Sequence, residues 1–149
     1  MVFVVDTNLL VYAADADASA HAHCRQLLEE WRRQQAAWYV TWSILYEFLR
    51  VVTHPKVLKT PWTAEQAWGF IEVLLASPGL EVLGESERHA AVAGQTLRDL
   101  PQASGNLMHD AHTAVLMREH GIRRIYTRDT DFHRFPFLEV IDPLLRIQP

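Results

Sequence analysis

Four acidic residues occupy positions from which their carboxylates could meet: Asp6, Glu47, Asp110 and Asp129. Asp6 directly follows a run of β-branched and aromatic residues, and Asp129 comes after a second apolar run near the other end of the chain. Functional groups of open α/β sheets gather at the carboxyl ends of the strands, so both acids are expected at one edge. Clustered carboxylates repel one another unless a cation lies among them, and hard oxygen ligands select Mg²⁺ or Mn²⁺. These acids therefore predict a divalent-metal site.

Asp110 and Glu47 are expected to reach this edge from helices. Asp110 falls in the first turn of a helix that starts near Leu107, and a helix that leaves the carboxyl edge of a sheet starts close to that edge. Glu47 lies on a mostly apolar helical stripe with Ile44 and Val51. An acid that faces the core is costly to bury unless a partner neutralises it, so this position favours a functional carboxylate.

Each acid also has an ordinary structural explanation. An aspartate such as Asp6 can cap a helix, and Asp110 would stabilise a helix N-terminus by about 0.3–1 kcal/mol. Asp129 and its neighbour Asp131 could form turns, and Glu47 could pair with the arginine three residues further on. Any one acid can be explained in this way, whereas four acids directed at one edge favour a site.

Hydrophobic periodicity predicts strands that alternate with helices. The predicted strands are residues 2–5, 38–41, 80–83, 124–127 and 139–141, and the predicted helices are residues 9–14, 20–35, 43–52, 63–76, 86–100 and 107–120. Thr63 and Gln66 have the spacing of a capping box. Ser86 and Asn106 are candidate helix caps, and Gly121 is a candidate helix end. The alternation predicts an α/β fold with a central, mostly parallel sheet of four to five strands and helices on both faces.

Length and composition exclude several classes of protein. The chain has 149 residues, of which 49% are hydrophobic, so we expect a single domain over residues 1–149 and not a disordered chain. The single cysteine, Cys24, provides neither an intrachain disulfide nor a cysteine-based zinc site, and it suits the cytoplasm. No apolar run approaches the roughly 20 residues that span a bilayer, so no membrane association is expected.

The charge of the chain gives no general affinity for nucleic acid. The formal net charge is −4, so any nucleic-acid role must depend on a local site. Five arginines fall in the last third of the chain: Arg118, Arg123, Arg124, Arg128 and Arg134. They could contact nucleic acid, or they could form ion pairs on a solvated surface, and the sequence leaves both explanations open.

The segments around the acids resemble the motifs of PIN-domain proteins. The matching segments are Val4-Val5-Asp6-Thr7-Asn8, Glu47 on a mid-chain helix, Asn106-Leu107-Met108-His109-Asp110-Ala111 and Thr127-Arg128-Asp129-Thr130-Asp131-Phe132. In this order, and spread over nearly the whole chain, they are most similar to the VapC-like toxins of type II toxin–antitoxin systems. The resemblance implies a PIN-like three-layer fold.

The resemblance also implies an activity and its partners. It implies an Mg²⁺- or Mn²⁺-dependent endoribonuclease that cleaves RNA phosphodiester bonds with metal-activated water and is silenced by a cognate antitoxin. Carried over by motif, the catalytic and metal-binding acids are Asp6, Glu47, Asp110 and Asp129, with Asn8, Thr127 and Asp131 as supporting residues. Asp131 could be an extra ligand, an acid just outside the ligand set, or a turn residue. The expected partners are RNA, the antitoxin and a second copy of the chain in a homodimer.

Other protein classes fit the same acids less well. A haloacid-dehalogenase-type phosphatase needs a second aspartate two residues after the first, where this chain has Asn8. A phospho-accepting receiver domain needs a late lysine beside its acids, and the only lysines are Lys56 and Lys59. A catalytically inactive PIN-like module that binds RNA or protein is the remaining alternative, and the complete set of acids argues against it.

Two other patterns have more than one explanation. His21 with His23, and His109 with His112, could suggest zinc, but pairs without a matching third ligand are expected to be surface or interface residues. The segment 62–75 is rich in large apolar residues: Trp62, Trp68, Phe70, Ile71, Leu74 and Leu75. They could all belong to the core, or part of this helix could form a dimer or antitoxin surface.

Overall fold

The computed structural model describes residues 1–145, which form a five-stranded sheet flanked by six α-helices. The strands are β1 (Val4–Val5), β2 (Trp38–Thr41), β3 (Leu80–Leu83), β4 (Arg124–Tyr126) and β5 (Glu139–Ile141). The helices are α1 (Thr7–Ala14), α2 (His21–Arg33), α3 (Trp42–Thr53), α4 (Ala64–Leu75), α5 (His89–Arg98) and α6 (Leu107–Glu119), and a 3₁₀ helix (Thr130–Arg134) links β4 to β5. Over this described range, none of the helices combines the length and the apolar character needed to cross a membrane.

Neighbouring strands of the sheet all run parallel, in the order β3-β2-β1-β4-β5. From β1 the chain moves outward to β2 and β3, and it then returns to the opposite side of β1 with β4. Right-handed crossovers therefore place α1 to α4 on one face and α5 with α6 on the other. The predicted parallel α/β fold is confirmed. The direction of winding reverses between β1 and β4, which is the position where such sheets bind ligands.

The short strand β1 is the centre of the core. Val4 and Val5 are fully buried between the two helical layers, as the continuous β-branched run predicts. The ring of Phe3 lies 5.3 Å from that of Trp31 and 4.9 Å from that of Tyr126, centroid to centroid. These aromatic contacts fix α2 against the strands, and they hold β1 and β4 side by side.

Two helix ends follow the rules that their sequences predict. At the start of α4, Thr63 Oγ1 accepts from the Gln66 N–H at 3.1 Å and Gln66 Oε1 accepts from the Thr63 N–H at 2.9 Å, so the capping box is confirmed. After α6, Gly121 adopts a φ of 70°, and the Ile122 N–H donates to the Met117 carbonyl at 2.9 Å. This is a Schellman end, and glycine is the residue that adopts this φ without strain.

Three local predictions were wrong. The first strand spans only Val4–Val5, so it begins two residues later than predicted. Ser86 does not cap α5, whose N-cap is Arg88; the Ser86 hydroxyl accepts from the Arg88 N–H at 3.2 Å and donates to the Glu119 carboxylate at 2.7 Å. Asn106 precedes α6 without a side-chain cap bond to that helix.

Candidate active site

A cavity of about 670 Å³ lies at the carboxyl edge of the sheet, where β1 and β4 end side by side. Its lining includes every acid that the sequence singled out: Asp6, Glu47, Asp110, Asp129 and Asp131. These residues come from four separate parts of the fold, namely the end of β1, helix α3, the first turn of α6 and the segment after β4. The predicted convergence of the acids at one edge is thus what the structure shows.

The carboxylate of Asp6 is held in place on both oxygens. Oδ1 accepts from the Thr7 N–H at 2.8 Å. Oδ2 accepts from the Thr127 hydroxyl at 2.7 Å and from the Asn8 side-chain amide at 3.3 Å. Burial raises the pKa of Asp6; the bonds from Thr127 and Thr7 oppose this, and the charges of Asp129 and Glu47 add to it.

The hydroxyl of Thr127 connects the two ends of the site. While donating to Asp6, it accepts from the Asn8 amide at 3.1 Å and from the Asp129 N–H at 2.9 Å. Thr127 is 1% exposed, so all three bonds lie away from solvent and their geometry is fixed. The structure thus places Thr127 and Asn8, the two predicted supporting residues, in direct hydrogen-bond contact with the Asp6 carboxylate.

Asp110, Asp129 and Asp131 form the tightest part of the acidic cluster. Each offers a carboxylate oxygen, and these oxygens all lie within 4.8 Å of one another. Burial, together with the nearby charges of Asp129, Asp6 and Asp131, raises the pKa of Asp110 to about 7. Asp129 Oδ1 also caps the 3₁₀ helix by accepting from the Asp131 N–H at 2.9 Å. The turn explanation and the site explanation of Asp129 therefore both apply.

Glu47 differs from its predicted environment. Its side chain is 47% exposed and does not face the core, although it lines the same cavity as the other acids. Its carboxylate accepts from Arg50 at 2.6 and 3.0 Å, and this pair lowers the pKa of Glu47. The predicted buried environment is wrong because the stripe that contains Glu47 turns toward the cavity. The pairing with Arg50, three residues on, occurs as the ordinary explanation predicted.

The donor set fits a hard divalent cation. All five acids present oxygen atoms only, and oxygen is the donor that Mg²⁺ and Mn²⁺ prefer. Burial raises the pKa of Asp110, and repulsion from the neighbouring carboxylates adds to this; a bound cation would relieve the repulsion. The residues that line the cavity thus match the metal that the sequence predicted.

Several other residues at the cavity were missed as site residues. Tyr12 and His109 line it, and so does Arg50 beside Glu47. Apolar spacing toward the core is the only pattern that the sequence offers for Tyr12. His109 directly precedes Asp110, and because consecutive helical side chains point in different directions, the helix periodicity gave no reason to place it at the cavity.

Most of the arginines in the last third of the chain are paired with acids. Their ion pairs are Arg118 with Asp99 at 3.6 Å, Arg124 with Glu139 at 3.1 Å, Arg128 with Asp142 at 3.0 Å and Arg134 with Asp131 at 3.9 Å. Of the two explanations that the sequence left open, these pairs favour a solvated surface of paired charges.

Comparison with known proteins assigns the family. The PIN domain model matches residues 3–138. Ribonuclease VapC48 of Mycobacterium tuberculosis is 33% identical over 138 residues, which cover 93% of this chain and 94% of that protein.

Two solved structures share the fold. Mycobacterium tuberculosis VapC20, a sarcin–ricin loop cleaving toxin, is 19% identical with a TM-score of 0.67, covering 94% of this chain and 99% of that one. VapBC2 from Rickettsia felis, bound to a DNA fragment from its promoter, is 21% identical with a TM-score of 0.66, covering 95% and 98%. The chain therefore belongs to the PIN-domain family and is a relative of the VapC ribonucleases.

Proposed function

We propose that this protein is a metal-dependent endoribonuclease that acts as the toxin of a toxin–antitoxin system. The observation that carries the proposal is the convergence of five carboxylates on one cavity at the reversal point of the sheet. The kinship with proteins named ribonucleases supports RNA as the substrate. We also propose that residues 1–149 form one PIN domain, of which residues 146–149 lie outside the described part, and that it acts in the cytoplasm.

Asp6, Glu47, Asp110 and Asp129 would hold one or two Mg²⁺ or Mn²⁺ ions. When bound, such an ion lowers the pKa of a coordinated water and neutralises charge on the scissile phosphate. Thr127 and Asn8 keep the Asp6 carboxylate in one orientation, and Asp129 is tied to the same hydroxyl through its N–H. Asp131 lies close enough to Asp110 and Asp129 to add a further oxygen ligand.

We expect the purified protein to cleave single-stranded or looped RNA in Mg²⁺ or Mn²⁺ and to stop when EDTA removes the ion. In this proposal the nucleophile is a water activated by the metal, and no side chain of the cavity takes over that role when the metal is removed. Cleavage of labelled RNA is followed on denaturing gels, with Asp6→Asn as the inactive control. Cleavage that persists in EDTA would contradict the metal dependence. Metal binding without any cleavage would favour the alternative, a catalytically inactive PIN-like module that binds RNA or protein.

The partners proposed are a cognate antitoxin and a second copy of this chain. Helix α4 buries Ile71 and Leu74 in the core, but Trp68 is 40% exposed and Val73 is 49% exposed. Phe70 and Val73 also line a second, mostly apolar cavity of about 470 Å³ between α2 and α4. An amphipathic antitoxin helix could lie in such a groove. Of the two explanations of this helix, the exposure of Trp68 favours a partner surface over a helix that is entirely core.

Producing the protein alone should slow bacterial growth, and co-producing the antitoxin encoded beside it should restore growth. Trp68→Glu should weaken that rescue, since a charge on the partner surface must be desolvated on binding. Leu97→Glu is the matched control, because Leu97 is exposed to the same extent, 39%, on α5 of the opposite face. Equal rescue of both variants would show that the antitoxin binds elsewhere. Light scattering of the purified chain tests the proposed homodimer.

A further inference from the structure

A second cluster of metal-ligating side chains lies outside the acidic cavity. Glu85, His89 and His112 each offer one ligand atom, and these atoms all lie within 4.8 Å of one another. Glu85 follows β3, His89 begins α5, and His112 lies in the middle of α6. The sequence offered His112 only His109 as a neighbour, whereas the fold brings it to His89, with ring centroids 5.8 Å apart. The third ligand that the sequence pairs lacked is therefore present here.

The ring of His89 is oriented by a buried carboxylate. Its Nδ1 lies 2.5 Å from Glu119 Oε2, and the Glu119 side chain has no solvent exposure. Glu119 Oε1 accepts from both the N–H and the hydroxyl of Ser86, at 2.9 and 2.7 Å. A carboxylate on Nδ1 fixes the tautomer that leaves Nε2 as the free lone pair, an arrangement that recurs behind metal-ligating histidines.

The ring of His112 is held in a comparable way. Its Nδ1 lies 3.0 Å from the Ser43 hydroxyl, and its Nε2 lies 2.9 Å from Glu85 Oε1. With Nδ1 bonded to Ser43, Nε2 is the nitrogen that faces the cluster. Without a metal, a proton on His112 Nε2 is donated to the Glu85 carboxylate. A cation in the place of this proton would bind both His112 Nε2 and the Glu85 carboxylate.

We propose that Glu85, His89 and His112 form a second metal site that takes Zn²⁺ or a similar imidazole-binding divalent cation. Two imidazole nitrogens and one carboxylate oxygen are a ligand set that suits zinc, with the fourth position left to water. Mg²⁺ prefers oxygen ligands throughout, so the two sites should select different metals. Tetrahedral ligands at zinc bond lengths lie about 3.3 Å apart, and the ligand atoms here lie within 4.8 Å of one another, so any two of them need to approach by at most about 1.5 Å. This site does not depend on the proposed nuclease activity.

The experiment measures zinc binding in Asp110→Asn protein with excess Mg²⁺ present, so that the acidic cavity contributes little. We expect one equivalent of Zn²⁺ by isothermal titration, and Co²⁺ should give the strong visible absorption of a four-coordinate site. His112→Gln should abolish this binding, and Glu85→Gln should weaken it at least tenfold. His23→Gln, a change of a partly buried histidine on α2, should leave it unchanged. Saturating Zn²⁺ should raise the melting temperature of the Asp110→Asn protein by about 5 °C.

The variants are chosen so that unfolding cannot imitate the expected result. Glu85 is exposed and its side chain contacts the cluster from a loop, so Glu85→Gln should fold normally, which circular dichroism checks. Retained Zn²⁺ binding in both Glu85→Gln and His112→Gln would overturn the proposal. Absence of Zn²⁺ binding in the Asp110→Asn protein would overturn it as well. In both cases the nuclease assignment would stand, since RNA cleavage in Mg²⁺ is measured separately.

Discussion

Asp110→Asn should make the metal-free protein more stable at pH 8 while it removes RNA cleavage. In the folded protein the pKa of Asp110 is about 7, above its ordinary value of 3.8. The folded state therefore retains a proton that the unfolded chain has already released. The free energy of unfolding is therefore highest below pH 4 and decreases as the pH rises toward 7. Above pH 7 the ionised Asp110 carboxylate destabilises the folded state. The full shift corresponds to about 4 kcal/mol, and solvent around this partly buried group lowers the expected gain to roughly 2 kcal/mol.

Thermal unfolding in EDTA at pH 4 and pH 8 measures this difference. At pH 8 the variant should melt about 4–8 °C above the unchanged protein, and at pH 4 the two should nearly coincide. Adding Mg²⁺ should stabilise the unchanged protein more than the variant. Asp17→Asn, at an exposed loop position, is the control and should show none of these effects. If the Asp110→Asn variant is less stable than the unchanged protein at pH 8, the ionised Asp110 carboxylate does not destabilise the metal-free protein.

The same substitution should reduce RNA cleavage at least about 1000-fold, because a lost metal ligand removes roughly 4 kcal/mol of transition-state stabilisation. Single-turnover cleavage in saturating Mn²⁺ measures the loss. Stability and activity should thus change in opposite directions, which separates a ligand from an ordinary structural residue. A variant that retains full activity would show that Asp110 does not take part in the reaction.

Gly79→Ala should cause a large loss of stability with no direct effect on the site. A Cβ at Gly79 would lie 2.2 Å from the Ala36 carbonyl oxygen and 3.0 Å from that of Gln34. Both atoms are backbone, and the Gly79 carbonyl itself accepts from the Trp38 N–H at 3.0 Å. The chain therefore cannot move aside without disturbing the start of the β2–β3 pairing, and we expect a loss of about 3 kcal/mol.

Chemical denaturation of the Gly79→Ala and Gly69→Ala variants measures this loss against a control in the same protein. Gly69→Ala is the matched control, because Gly69 lies within α4 and a Cβ there meets no atom within 4 Å. Alanine in a helix is favoured over glycine, so this variant should gain about 0.5–1 kcal/mol. Equal stabilities of the two variants would show that the approach of residues 34–36 to Gly79 is looser than described.

Much of the fold could be predicted because local patterns and long-range packing agree. Strands β2 and β3 have the predicted bounds, since apolar residues predominate in both and the first and last residues of each strand are buried. The capping box at Thr63 was predicted correctly because both of its partners lie within one turn. The acids could be assigned to one edge because parallel strands end together, and Asp6 and Asp129 each follow such a strand.

The remaining features depend on contacts between distant parts of the chain. The hydroxyl of Ser86 donates to Glu119, 33 residues away, a contact that the local spacing could not predict. His112 meets Glu85, 27 residues away, so the histidine cluster has no signature in sequence spacing. The exposure of Glu47 depends on how far α3 rotates against the sheet. Hydrophobic periodicity identifies the apolar side of a helix. It does not determine whether the residues at the edge of that side are buried or exposed.

The bond between Thr127 and Asp6 joins residues 121 positions apart, and this separation has a consequence during translation. The Asp6 carboxylate cannot accept this bond until β4 has emerged from the ribosome and paired beside β1. At about 5–20 residues per second, roughly 6–24 s separate the synthesis of these two residues. Throughout that interval the nascent chain would carry Asp6 without an assembled cavity. A cell would thus be shielded from a toxin still attached to the ribosome that makes it, and a neighbouring antitoxin would have that time to accumulate.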